Sequence, residues 1–202
     1  MAKPRGTLLV SLVLVLTCGG AESQGQDFCR GLCPNFQELE PTTNGVLRRW
    51  SNETNWITTR LASRSLIDGM SSHNTLKSYW GTYVQDVLDT DQGTWPVLLS
   101  STKSVSETNL WLSWYLPTSE TMAPDPEGRV FQMKLHAGVM YYQVSEDHPH
   151  IGDEDKIKDQ MLERLGFHDD EIQAYHAALY DPVMAWEFHS EVWIFAADHI
   201  TN

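Results

Sequence analysis

The stretch Val46-Leu47-Arg48-Arg49-Trp50, then Ser51-Asn52, then Thr54-Asn55-Trp56-Ile57-Thr58-Thr59-Arg60-Leu61 decides how the chain is read. Trp56 stands beside the β-formers Ile57, Thr58 and Thr59, and the polar Ser51-Asn52 step separates two such runs, which predicts two short strands around a turn. From Ser65 the period changes. Leu76, Tyr79, Trp80, Tyr83, Val84 and Val87 recur at intervals of three and four, predicting a helix over about residues 69–88 with one aromatic-rich face and Lys77, Thr82 and Asp86 on its polar face. Beyond the turn cluster Asp89 to Thr94, Trp95-Pro96 opens a short strand through Leu99. Leu110 to Leu116 carries large residues on both faces, as a strand does when it is buried on both sides or has a ligand against one. Thr118 to Gly128 is a loop. Val130 to Leu135 and Val139 to Val144 form a hairpin around His136-Ala137-Gly138. An acidic helix runs from about Gly152 to Leu165, with Ile157, Met161 and Leu165 on one face and Gly166 as its C-cap. Strands near Gln173 to Tyr180 and Glu191 to Phe195 close the chain, so the order predicts an α+β protein whose helices pack on a mostly antiparallel sheet.

The 202 residues are 41% hydrophobic and 20% charged, which fits a folded domain and excludes disorder, collagen and a coiled coil. Fourteen basic against 27 acidic residues give a net charge of −13, which disfavours nucleic acid and anionic membrane surfaces as partners. Eight Trp, seven Tyr and six Phe supply flat apolar surface for a core and for a ligand cleft. Lys3 and Arg5 precede the apolar run Leu8 to Leu16, and small residues follow at Gly19-Gly20-Ala21. This pattern predicts a secretory signal peptide, residues 1–21, too short in its apolar part to span a bilayer. Cleavage would remove Cys18 and leave a chain of charge −15, destined for the extracellular space. Residues 22–104 then hold seven basic and nine acidic residues, and residues 105–202 hold five and 18. Cys29 and Cys33, the two remaining thiols, are expected to pair in an oxidising compartment and staple the N-terminal arm. Asn52-Glu53-Thr54 is an N-glycosylation sequon.

Several local patterns, in order, resemble the SOUL heme-binding protein family. Cys33-Pro34-Asn35-Phe36 followed by Val46-Leu47-Arg48-Arg49-Trp50 is similar to the family's Cys-Pro-x-Tyr start and Glu-Ile-Arg-x-Tyr first strand. Trp56-Ile57-Thr58-Thr59 resembles its Trp-Val-Ser-Thr strand. Thr94-Trp95-Pro96-Val97 matches the tail of its Met-Thr-Ala-Pro-Val segment. Ser113-Trp114-Tyr115-Leu116-Pro117 resembles Ser-Leu-Tyr-Ile-Pro, and Tyr180-Asp181-Pro182 with Glu191-Val192-Trp193-Ile194 resembles the Tyr-Asp-Pro-Pro…Asn-Glu-Val-Trp-Leu ending. The resemblance implies a twisted antiparallel sheet or barrel with two amphipathic helices, built from two similar α+β halves. With the leader and the polar arm read above, the chain divides into the signal peptide 1–21, an N-terminal arm 22–35 with the cysteine pair, a SOUL-type domain 36–196 and a tail 197–202. It also implies binding of heme or a related porphyrin against the first helix, without implying an enzyme. Arg49 stands where some members carry a histidine proposed as an iron ligand.

A heme site needs an apolar slot, cations for two propionates and optionally an axial His or Met. The helix face Leu76, Tyr79, Trp80 and Tyr83 could supply a wall, although an ordinary core needs the same stripe. His73, three residues before Leu76, is the candidate axial ligand, with Met70 one turn earlier on the same side. Arg48, Arg49, Arg60, Arg64 and Lys77 are candidate propionate partners, and strand alternation turns Arg48 and Arg49 to opposite faces. The candidate heme-binding set is therefore His73, Leu76, Lys77, Trp80, Tyr83, Arg49, Arg64 and Tyr180.

No metal site is expected. His148-Pro149-His150 beside Asp147 and Asp153 resembles a loop site for zinc or copper but equally describes a solvated acidic loop, the reading adopted; His136 faces outward, and Asp169-Asp170-Glu171 lacks the glycine and spacing of a calcium loop. There is no Gly-x-Ser-x-Gly, phosphate loop or His-Glu-x-x-His, so the sequence points to a binding protein and not an enzyme. The competing class is a non-heme extracellular interaction protein on the same scaffold, and the third is a porphyrin-modifying enzyme.

Overall fold

The computed structural model describes residues 29, 31–84, 95–103, 108–118, 121–145, 153–172, 174–180 and 189–195. The expected signal peptide, the 89–94 turn, the His148–His150 loop, Asp181-Pro182 and the 197–202 tail lie outside these residues, as does the end of the first expected helix.

The elements are β1 (Phe36–Leu39), β2 (Leu47–Ser51), β3 (Thr54–Leu61), α1 (Leu66–Tyr79), β4 (Val97–Lys103), β5 (Thr108–Leu116), β6 (Val130–Leu135), β7 (Gly138–Ser145), α2 (Asp153–Leu165), β8 (Ala174–Leu179) and β9 (Ser190–Phe195). All nine strands form one antiparallel sheet in the order β1-β2-β7-β9-β8-β4-β5-β3-β6. Setting β1 aside, this order is symmetric about the β8–β4 seam: β2, β7, β9 and β8 on one side answer β6, β3, β5 and β4 on the other. The chain is thus two ββαββ halves, β2-β3-α1-β4-β5 and β6-β7-α2-β8-β9, each lending its first strand to the other's edge. This agrees with the expectation of two similar halves.

Each sheet face is packed, which explains large side chains on both sides of β5. On the helix face, Leu76, Tyr79 and Trp80 pack with Ile57, Leu112, Leu116 and Val130, while Met161 and Leu162 of α2 pack with Tyr175, Val192 and Ile194. The opposite, concave face holds Trp56, Leu98, Met140, Tyr142, Ala178, Tyr180 and Trp193. Successive residues of a strand point to opposite faces, so Leu98 and Leu99, or Ala177 and Ala178, serve different cores.

Several boundaries differ from the sequence reading. α1 starts three residues early because the Ser65 hydroxyl accepts from the Asp68 N–H, an N-cap with an acid in the first turn. After Tyr79 the ladder widens into a π turn over Trp80–Val84, so the aromatic run is not one regular α-helix. β4 begins at Val97 and extends to Lys103. β1, a stretch to which the sequence reading assigned no element, is an edge strand on β2. Gly166 adopts φ 71 just past α2, with the Phe167 N–H bonded 3.0 Å to the Leu162 carbonyl, the C-cap that the sequence announced.

Candidate functional site

The N-terminal half of α1 stands off the β4–β8 seam and leaves an apolar cleft of about 510 Å³, within the range of small-molecule sites. Its floor is Leu61, Val97, Leu99, Leu112 and Leu179, its wall includes Trp95, and α1 contributes Leu66, Met70 and His73. Leu66 and Met70 are 56% and 59% exposed, so apolar side chains flank the mouth. The chain folds this way because only Ser72, Leu76 and Tyr79 of α1 reach the core. Of the residues before Ser72, Leu66, Gly69 and Met70 line the cleft.

His73 meets the edge of Trp114 with ring centroids 5.0 Å apart. Loss of solvent, assisted by the nearby Lys77 charge, holds its pKa below the usual imidazole value. The ring is therefore neutral near pH 7, the form that can donate a lone pair to a metal. Arg64 is the only Lys or Arg among the described residues of the cleft lining. Its guanidinium is already engaged: Nη1 lies 2.5 Å from Asp155 Oδ2 and 3.3 Å from Glu154 Oε1, and Nη2 donates to the Tyr175 hydroxyl at 2.8 Å. Tyr175 in turn donates to Asp155, and burial together with that carboxylate pushes its phenol up to about 12. The network ties the residue before the cap of α1 to the first turn of α2, across the seam between the halves.

The structure brings His73 and Arg64 of the sequence-derived set to the cleft, together with Met70. Leu76 and Trp80 lie in the core beneath α1, Trp80 packing 6.1 Å from Trp114, and Tyr83 stacks on Tyr79 at 5.0 Å. Their stripe is the helix–sheet contact, so it is not the cleft wall. Lys77 is exposed on α1 outside the cleft lining.

Arg49 and Tyr180 differ most from expectation. Alternation does separate Arg48, at the margin, from Arg49, but Arg49 points into the concave core and is 1% exposed. Its guanidinium pairs with the equally buried Glu191 and lies 3.9 Å and 4.3 Å from the ring centroids of Phe36 and Tyr142. Glu191 also accepts from Tyr180 at 3.3 Å, from the Trp193 indole at 2.6 Å and bonds the His189 ring at 3.1 Å. A buried arginine requires such a counter-charge, which here comes from a residue 142 positions away. Both are thus parts of an internal ion-pair core on the sheet face opposite the cleft.

Sequence reasoning missed Leu61, Leu66, Trp95, Val97, Leu99, Leu112 and Leu179 as cleft residues. One signal was present: Leu66 and Met70 lie off the Leu76–Tyr79 stripe, and such off-register apolar residues need a second apolar surface. A more open groove of about 460 Å³ lies along the other flank of α1, with Arg60, Trp111 and Phe131. Among the described residues no cluster of three or more His, Cys, Asp or Glu could hold a metal ion, and no helix is long and apolar enough to cross a membrane. Cys29 and Cys33 are joined, with Cα atoms 6.4 Å apart.

Among solved structures the chain is similar to a bacterial transcription regulation protein from Staphylococcus aureus MU50, at 6% identity and TM-score 0.43, over 74% of this chain and 95% of that one. It is also similar to the EcmrR C-terminal domain, at 11% identity and TM-score 0.47, over 79% and 96%. A third similar structure is SAV2435 bound to tetraphenylphosphonium, at 4% identity and TM-score 0.41, over 74% and 92%. No curated protein matches the sequence. A family model described as SOUL heme-binding protein matches residues 32–195. By that match, which runs from just before Cys33 to the end of β9, the chain belongs to the SOUL heme-binding protein family.

Proposed function

We propose that this protein binds heme or a related tetrapyrrole in the cleft between α1 and the β4–β8 seam, as a secreted carrier and not as an enzyme. The observation that carries the reading is the cleft itself: about 510 Å³, lined mainly by Leu, Val, Trp and Met, with a neutral imidazole at His73. The lining fits a flat apolar macrocycle, and the His73 ring is the donor type that ligates iron. Heme, if bound there, would supply an iron that the His73 imidazole could ligate. Leu61, Val97, Leu99, Leu112 and Leu179 exclude water from the slot, and Leu66 and Met70 flank its mouth. The leader-like N-terminus supports secretion, and the Cys29–Cys33 bond and the exposed Asn52 sequon accord with it.

The test is titration of the purified mature protein with hemin, followed at the Soret band. A saturable, one-to-one change is expected. His73→Ala shifts the band position while the affinity, set by the apolar lining, falls only a few-fold. A flat titration refutes the reading.

A further inference from the structure

We propose that Asp155 sets the charge specificity of the cleft: by occupying Arg64, it selects ligands that present an uncharged edge to the α1 end and keep anionic groups in solvent. The inference rests on the cleft being the ligand site, but not on the ligand being a porphyrin.

The argument starts from Arg64, the lone Lys or Arg among the described lining residues. A guanidinium at the rim of an apolar slot would ordinarily attract a ligand carboxylate. Here it faces two carboxylates, Asp155 in a two-point contact at 2.5 and 3.3 Å and Glu154 at 3.3 Å. Its remaining nitrogen contact is the Tyr175 hydroxyl. Both carboxylates thus face the one guanidinium that lines the cleft. Lys158, whose charge also acts on Asp155, is held by Asp159 and Asp169 at 2.9 and 2.5 Å. A ligand anion arriving at Arg64 must displace Asp155 from a charge-assisted pair, and then sit beside it. The position of Asp155 in the first turn of α2 favours its ionised form, so the block persists at neutral pH. The cleft can thus take an apolar plate while rejecting a carboxylate or sulfonate at this end, and a dicarboxylic tetrapyrrole would be admitted with its acid groups outward.

A matched pair of fluorescent probes tests this without relying on heme. N-phenyl-1-naphthylamine is uncharged, and 1-anilinonaphthalene-8-sulfonate is the same body with one sulfonate. The wild-type protein should bind the uncharged probe more tightly. Asp155→Asn should tighten the sulfonate about tenfold, equivalent to about 1.4 kcal/mol, while the uncharged probe changes less than twofold. The gain should vanish in Arg64→Gln/Asp155→Asn, which removes the cation that the first substitution frees. Parallel changes in both probes, no change for the sulfonate, or a gain that survives in the double variant would each overturn the proposal. If Asp155→Asn does not fold, Glu154→Gln removes the other carboxylate and must move the sulfonate in the same direction. Hemin binding with an unmoved probe ratio overturns only this inference, whereas no binding of hemin or either probe overturns the cleft reading too.

Discussion

His176 on β8 is 4% exposed, and its Nδ1 lies 2.6 Å from the Ser100 hydroxyl, its register partner on β4. Phe195 meets the ring edge-on at 5.8 Å, and among the described residues no carboxylate bonds it, so nothing there rewards a second proton. Burial holds its pKa at about 4, against 6.5 for a free imidazole. Because the folded state binds the proton less readily than the unfolded chain, this stabilisation is present above pH 6.5 and is lost as the pH falls toward 4. A move from 6.5 to about 4 corresponds to about 3 kcal/mol in full, and about 2 kcal/mol is gone by pH 4.5. That is a large fraction of a typical domain stability of roughly 5–15 kcal/mol. The check is urea denaturation from pH 7 to pH 4.5 on the wild type and on His176→Asn, whose carboxamide oxygen stands in for Nδ1 toward Ser100. The wild type should lose about 2 kcal/mol more than the variant over this range. Asp155 and Glu191 also have lowered pKa values, but they act in both proteins, and their stabilisation is lost only as the pH falls through those lowered values. Parallel pH curves for the two proteins would refute the reasoning.

Three further outcomes are expected. Arg49→Met strands Glu191 in the concave core and should cost about 3 kcal/mol or more in a urea melt, while adding Glu191→Gln should recover part of it. Leu179→Trp fills the cleft floor and should weaken hemin at least about tenfold with little change in melting temperature, since the seam is open there. Gly166→Ala forces a side chain onto φ 71 and should cost about 1 kcal/mol, measured by thermal denaturation.

The boundaries set by local chemistry were legible in the sequence. Val130–Leu135 is as read, and the strand after it gains one residue at each end, because alternation and a Gly turn suffice to specify a hairpin. The Gly166 stop was equally plain. What the alternation of Arg48 and Arg49 could not say was which of them turns inward, because the deciding partner, Glu191, arrives only when β7 and β9 pair beside β2. The aromatic stripe at Leu76, Tyr79 and Trp80 was visible too, but a stripe fits a core and a cofactor wall alike.

The sequence by itself therefore determined the α+β class and the order of the elements after β1, which rest on spacing along the chain, and the family, which rests on a resemblance of motifs. Tertiary structure alone decided the site. The cleft exists because two halves meet at the β4–β8 seam, bringing Leu99 and Leu179 under Met70 and His73 and joining Arg64 to an aspartate 91 positions away. No periodicity of 2 or 3.6 residues encodes a meeting between separate elements. Packing decides it, since it depends on which faces remain uncovered once every strand has found its neighbour.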